Sequence, residues 1–121
     1  MYSIMLKSKL HRARVTQAAL DYEGSLTIDR DLMDAVRLRP YEKVLVSNLA
    51  NGHRFETYVI PGEAGSGVIC LNGPTAHLGA VGDRLVILAF ALVPTEDARR
   101  QRPLILALDG NNKPTGPLKE T

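Results

Sequence analysis

The sequence predicts a mainly β protein, a small β-barrel with one or two short helices. Three observations carry that prediction. Apolar stretches of strand length recur closely along 121 residues, about six or seven of them. Turn signals separate them at Asn51-Gly52, Pro61-Gly62, Asn72-Gly73-Pro74 and Val81-Gly82-Asp83. A complete set of helix start and stop signals follows only Asp29. The length suits a single domain over residues 1–121, with a core large enough to need no disulfide.

Composition narrows the partners. Hydrophobic residues make up 45% of the chain, an ordinary globular share. Fifteen basic against thirteen acidic residues leave a net charge of +2, which selects no partner class. With no long basic run and only 5% aromatics, no nucleic-acid partner is expected. No apolar run is long enough to span a bilayer, so no membrane association is expected. The one cysteine, Cys70, excludes an intrachain disulfide and suits a reducing compartment. Met1 to Lys7 show no charged leader before an apolar stretch and do not read as a signal peptide. The expected location is cytoplasmic.

The first element, Tyr2 to Leu20, alternates loosely, lacks a helix cap and reads mostly as a strand. A period of two would set Lys7, Lys9, His11, Ala13 and Val15 on one face and Leu6, Leu10, Arg12 and Arg14 on the other. The cations and imidazole on the first face suit either an anion site or a solvated surface. Gly24-Ser25 reads as a turn, followed by a strand from Leu26 to Ile28. Asp29 is an N-cap for a helix from Arg30 to Leu38, with Arg37 and Arg39 at its C-terminal end and Pro40 as its stop.

Tyr41 to Asn48 is the next strand, and Asn51-Gly52 is expected as a two-residue hairpin turn. The returning strand runs from His53 to Ile60, ended by Pro61-Gly62. Arg54, Glu56, Tyr58 and Ile60 share one of its faces; His53, Phe55, Thr57 and Val59 share the other. Glu63 to Gly67 connects to Val68–Leu71, a strand apolar throughout and expected to be buried on both faces. Leu85 to Val93 is the most apolar stretch and is expected to be central core. A polar turn or short helix through Arg100, a strand from Pro103 to Leu108 and a frayed tail from about Asp109 complete the chain.

Familiar catalytic signatures are absent. Gly62-Glu63-Ala64-Gly65-Ser66-Gly67 lacks the lysine and following helix of a phosphate loop. Cys70, His11, His53 and His77 have no metal-ligand spacing, so no metal is expected. Cys70 lies in an apolar strand and reads as an inert buried thiol. No nucleophile-elbow pattern marks a Ser-His-Asp triad, and the Gly24-Ser25 bond is a further candidate. It is either a plain turn or a peptide bond placed for self-cleavage. A serine hydroxyl can attack the carbonyl before it, and glycine leaves that carbonyl unobstructed.

The run Met5-Leu6-Lys7-Ser8-Lys9-Leu10-His11-Arg12-Ala13-Arg14-Val15-Thr16 resembles the opening of the bacterial aspartate 1-decarboxylases, a pyruvoyl-dependent family that makes β-alanine for pantothenate. The likeness continues through Tyr22-Glu23-Gly24-Ser25, Asn51-Gly52-His53-Arg54-Phe55-Glu56-Thr57-Tyr58 and Ile69-Cys70-Leu71-Asn72-Gly73-Pro74-Thr75-Ala76-His77. It reaches Val81-Gly82-Asp83 and the apolar strand beyond. The resemblance implies a double-psi β-barrel and a homotetramer with sites between neighbouring subunits. It implies cleavage between Gly24 and Ser25, giving chains of residues 1–24 and 25–121, with Ser25 becoming a covalent pyruvoyl group. L-Aspartate would join that group as a Schiff base and lose its α-carboxylate.

The resemblance further implies roles for particular residues. Thr57 would position the Gly24 carbonyl and later contact substrate, and Tyr58 would donate the proton to the α-carbon. Arg54 and Lys9 would hold the substrate carboxylates. His11, Tyr22 and Asn72 would line the site, and Gly73, Pro74 and Thr75 would lie along its edge as a source of backbone donors. Many relatives carry Gly-Ala-Ala after the asparagine. Here Pro74 has no N–H to offer.

Alternation places Thr57 and Tyr58 on opposite faces. Either the strand twists or bulges there, or the two serve neighbouring sites of an oligomer. Two other functional readings stay open on the residues alone: a non-catalytic barrel module in which Gly24-Ser25 is only a turn, and the same chemistry on glutamate.

Overall fold

Two early strands are each threaded between two later ones, and the barrel follows from that threading. The computed structural model describes residues 1–120; Thr121, the last residue of the expected tail, lies outside them. The strands are β1 (Tyr2–Arg14), β2 (Gln17–Ala19), β3 (Ser25–Asp29), β4 (Lys43–Asn48), β5 (Arg54–Gly62), β6 (Ile69–Asn72), β7 (Arg84–Pro94), β8 (Leu104–Ala107) and β9 (Lys119–Glu120). Helix α1 spans Arg30–Ala35, and 3-10 turns cover Gly73–His77 and Thr95–Arg100. The sheet order is β2-β6-β3-β5-β4-β7-β1-β8-β9.

β3 lies between β5, to which it is parallel, and β6, to which it is antiparallel. β1 lies likewise between β8, parallel, and β7, antiparallel. In each place consecutive, antiparallel strands are held apart by an earlier strand bonded to both. That is the psi arrangement, formed twice, as the resemblance implied. Only Val15 and Thr16 separate β1 from β2, at the far edge of the sheet order. Their backbone N–H groups donate to Asp83 O at 2.9 Å and Ile69 O at 2.8 Å, and the barrel closes there. Leu10, Leu26, Ile28, Val46, Val59, Leu71 and Ile87 fill the interior, with Leu32 and Met33 of α1 covering it. β6 is buried along its whole length, but it runs from Ile69 to Asn72, one residue later than the expected Val68–Leu71, leaving half-buried Val68 outside it.

Several local expectations are corrected. Alternation in β1 fails at Arg12, which has a φ of 68° and sits at a register shift between His11 and Ala13. The extra residue reverses the parity. Ala13 and Val15 therefore turn into the core with Leu10, away from Lys9 and His11. α1 ends at Ala35 rather than Leu38. Arg37 takes a φ of 59°, its N–H donates to Asp34 O, and Leu38 N–H donates to Met33 O at 2.8 Å. This is a Schellman closure with arginine where glycine is usual, and it returns Leu38 to the core. The N-cap stands as expected: Asp29 Oδ1 accepts from Asp31 N at 2.8 Å.

Asn51-Gly52 makes no two-residue hairpin. Of the two, Gly52 alone has a positive φ, whereas that turn needs both. The ladder stops at Ser47–Arg54, and Gly52 N–H donates to Asn48 O at 2.9 Å across a longer loop. Buried Asn48 holds this loop, accepting from Ala50 N and donating to Leu78 O and Asp83 Oδ2. β5 continues through Pro61-Gly62. Past Tyr58 it has left β4 and pairs only with β3, so a residue without an N–H is tolerated.

β7 is core only in its first half. Beyond Ala89 it pairs with the start of β1 alone, as a ribbon outside the barrel, leaving Phe90 and Leu92 exposed. Asn72-Gly73-Pro74 enters a 3-10 turn rather than a simple reversal.

Where a frayed tail is expected, the chain folds back. Asp109 Oδ1 accepts from Asn111 N and Lys113 N, and β9 pairs with β8. Asn112, at a φ of 58°, is 1% exposed. Its Oδ1 accepts from Arg14 N at 2.7 Å, and its Nδ2 donates to Arg14 O and Gly67 O, both at 2.8 Å. Asn112→Ala therefore strands buried backbone groups and is expected to cost about 2 kcal/mol or more in reversible denaturant unfolding.

Candidate active site

Ser25 opens β3 and is 2% exposed. Its antiparallel partner is Asn72, the last residue of β6. Two residues further along each strand stand Thr27 and Cys70, which pair with one another on the same face of the ladder. These side chains bond together on one face of the ladder, while Leu26, Ile28, Ile69 and Leu71 turn to the core on the other. Asn72 Nδ2 donates to Ser25 Oγ and to Thr27 Oγ1, both at 2.9 Å. The Cys70 thiol donates to Asn72 Oδ1 at 3.2 Å. Burial pushes that thiol's pKa up, so it keeps its proton. Thr75 Oγ1 donates to Asn72 O at 2.8 Å and lies 3.4 Å from Ser25 O.

The turn before Ser25 is pinned by Gly73. At its φ of +60°, a Cβ would lie 2.5 Å from Tyr22 O and 2.8 Å from Gly24 N. Only glycine lets the two backbones approach so closely. A Cβ on Gly24 would meet Pro74 Cδ at 3.4 Å, so the proline ring packs where an N–H would otherwise point. Tyr22 itself is exposed in the single chain.

Thr57 and Tyr58 keep strict alternation. The β4–β5 register runs unbroken from Lys43–Tyr58 to Ser47–Arg54, so no bulge turns both toward one pocket. Continuing the parallel register Leu26–Val59 backwards sets Gly24 level with Thr57. Tyr58 is on the opposite, outer face, its ring 6.2 Å from that of Tyr41.

Lys9, His11 and Arg54 are not brought to Ser25. β5, β4 and β7 intervene between β3 and β1, and Arg54, though on adjacent β5, lies four residues before the level of Ser25, roughly 13 Å along the strand. Pairing places His11, Val86, Ser47 and Arg54 in one row across β1, β7, β4 and β5, with Lys9 in the next row but one. His11 and Arg54 are three strand spacings apart, roughly 14 Å along the sheet. Among the described residues, His11 Nδ1 and Ser47 Oγ in that row are buried without a hydrogen-bond partner. Burial, then the charges of Lys9, Arg12 and Arg84, lower the pKa of His11.

The structure thus divides the sequence candidates into two groups. Gly24, Ser25, Asn72, Gly73, Pro74 and Thr75 meet at one turn, with Thr57 alongside by register. Lys9, His11 and Arg54 lie farther off on the outer sheet face, while Tyr58, on that face too, is set level with Ser25 by the parallel register of β3 with β5. Sequence reasoning passed over Thr27 and Ser47, and it gave Cys70 no contact with Asn72. The available signal was the i, i+2 spacing of Ser25 with Thr27 and of Cys70 with Asn72, legible only once the two strands are paired.

Fold and site define a double-psi barrel that buries a serine hydroxyl directly after a glycine turn. Comparison with known proteins names that class more closely. The family model described as aspartate decarboxylase matches residues 1–115. The chain is 54% identical over 114 residues to the aspartate 1-decarboxylase of Syntrophobacter fumaroxidans, covering 94% of this chain and 92% of that protein. It is 54% identical over 111 residues to the aspartate 1-decarboxylase of Salinibacter ruber, covering 92% and 76%. It is 51% identical over 113 residues to that of a Geobacillus species, covering 93% and 89%. The chain belongs to the aspartate decarboxylase family. Among the described residues, no helix is long and apolar enough to cross a membrane.

The lowered pKa of His11 has a measurable consequence. Its ordinary value is 6.5, so below that pH the unfolded chain binds this proton more readily than the folded one. The stability contributed is complete above pH 6.5 and is lost as pH falls through the lower folded value. Denaturant unfolding from pH 7 to pH 5 should show this loss, and His11→Gln should flatten that part of the profile.

Proposed function

We propose that the chain is a self-processing lyase that removes the α-carboxylate of L-aspartate, yielding β-alanine and CO2. The observation that carries this is the buried Ser25 Oγ, held by Asn72 beside a turn that admits only glycine at Gly73. For cleavage, Ser25 Oγ would attack the Gly24 carbonyl carbon, the O–C bond forming as the C–N bond breaks. Elimination, with loss of the Ser25 α-proton and departure of Gly24 as a carboxylate, would then separate residues 1–24 from 25–121, and hydrolysis of the remaining dehydroalanine would release ammonia and leave a pyruvoyl group in place of Ser25.

The residues present fit such a group. The position is enclosed, the Asn72 amide supplies an N–H donor, and a thiol and hydroxyls complete a polar wall in an apolar strand pair. Asn72 and Thr75 would hold the group, and its electron-withdrawing carbonyl would supply the sink for the electrons released with CO2. Arg54 would clamp the carboxylate that stays, with Lys9 orienting the other. Tight pairing to the departing carboxylate would stabilise the ground state and slow the reaction. Tyr58 would hand its phenol proton to the α-carbon. Thr57 would steady the Gly24 carbonyl, while His11, Tyr22 and the Gly73–Thr75 edge would exclude water and shape the pocket.

The separation of Lys9, His11 and Arg54 from Ser25 supports a homotetramer with sites between neighbouring subunits. The outer face that carries Lys9, His11, Arg54 and Tyr58 is apolar in its middle. Ile4, Leu45 and Phe90, with the stems of Lys43 and Glu56, line a depression of about 450 Å³ there. A second copy covering it would bring Ser25 of one chain to Arg54 of the next. The expected location is the cytoplasm.

Intact mass spectrometry tests the processing. The wild-type chain should divide into two species, whereas Ser25→Ala should stay whole and form no β-alanine; β-alanine from that variant would refute the reading. Arg54→Ala should still be cleaved but fail to saturate with aspartate. Co-expressed Ser25→Ala and Arg54→Ala chains should regain activity, at most about a quarter of normal under random mixing. No recovery would exclude sites shared between subunits.

A further inference from the structure

Thr27 and Cys70, which so far figure only in the polar wall, decide how Asn72 presents itself to Ser25. A carboxamide can sit in two orientations that exchange its oxygen and its NH2. Here the oxygen meets a thiol S–H at 3.2 Å, and the NH2 meets two hydroxyl oxygens at 2.9 Å each. Reversal would turn the NH2 toward sulfur, which accepts hydrogen bonds only weakly. Asn72 is 3% exposed and Cys70 6%, so water is a poor substitute partner at the amide itself and on the sulfur side, while Thr27 is half-buried. Each of the two N–H bonds is spoken for, one by each hydroxyl. Removing the Thr27 oxygen would leave one N–H unpaired and free the amide to turn away from Ser25.

We infer that Thr27, supported by Cys70, is a positioning residue for chain cleavage. It takes one N–H of Asn72 so that the other is aimed at Ser25 Oγ. With that N–H on one lone pair, Oγ is held in a single rotamer and its other lone pair is left for the Gly24 carbonyl carbon. The inference rests on the self-processing reading. It concerns only this chain's residues before the bond is broken.

The test follows cleavage of freshly purified chain by intact mass, comparing wild type with Thr27→Val, which keeps the shape and removes the oxygen, and Thr27→Ser, which keeps the oxygen. Thr27→Val should slow cleavage by about tenfold or more, and Thr27→Ser should stay near wild type. Equal rates for Thr27→Val and wild type would overturn the inference. So would a Thr27→Ser chain as slow as Thr27→Val, because the effect would then be one of shape. A second readout needs no cleavage. In uncleaved chain, the Asn72 side-chain amide protons should be protected in ¹⁵N-edited spectra and exchange faster in Thr27→Val; unchanged protection would overturn the clamp. If the wild-type chain never divides, the self-processing reading fails, and the amide protons still judge the clamp separately.

Discussion

Where β3 meets β6, the ladder sets Ser25 opposite Asn72, and everything at the candidate site is arranged about that rung. A serine and an asparagine facing one another inside an apolar strand pair would each lose water on folding. An unpaired buried polar group costs about 1–3 kcal/mol, more than a typical hydrogen bond contributes. The site can be folded only if its polar atoms satisfy each other, as Ser25, Thr27, Cys70, Asn72 and Thr75 do. The same requirement that makes the arrangement stable also makes it orderly. A hydroxyl that must be bonded is a hydroxyl with a fixed direction. Gly73 completes the constraint from outside by bringing its backbone against that of Gly24, so the turn cannot relax away from the rung.

Threading makes that rung possible. β3 is bonded on both edges, to β5 and β6, so the start of the strand cannot fray although it follows a glycine turn. β1 is bonded on both edges too, and its outer face carries Lys9 and His11. The two threaded strands therefore present separate chemistries. One buries a hydroxyl, and the other displays cations and an imidazole. Arg12 at the β1 bulge is what parts them: by reversing the strand's parity it sends Ala13 and Val15 to the core and leaves His11 outside. The same outer face holds an apolar depression, and among the described residues His11 Nδ1 and Ser47 Oγ are buried without a hydrogen-bond partner.

Much of the fold was legible in the residues. β6 could be read, to within one residue, from the apolar run Ile69 to Leu71 that buries on both faces, and the Asp29 cap and the alternation of Arg54 to Val59 followed from local rules. The failures have a common cause. Arg12, Arg37 and Asn112 adopt positive φ without being glycine, and local sequence gives no sign of it. Asn112 is held there by the backbone of Arg14 and Gly67, Arg12 sits at the register shift against β7 with its carbonyl accepting from Arg84, and Arg37 closes the helix so that Leu38 reaches the core. Asn51-Gly52 failed in the opposite sense, because Asn48, bonded across the barrel to Leu78 and Asp83, imposed a longer loop on a strong hairpin signal.

By itself the sequence determined the class of fold, the places of most strands and the peptide bond at which chemistry is expected, since periodicity, turn residues and a Gly-Ser pair are local properties. It also supplied the residue types for an anion site. Only the tertiary structure decided which of them meet. Ser25 and Asn72 lie 47 positions apart and touch, while Ser25 and Lys9 are far closer in sequence and stand on different parts of the sheet. Pairing register and strand order, not separation along the chain, set those distances. They arise from non-local hydrogen bonding that no window of neighbouring residues contains.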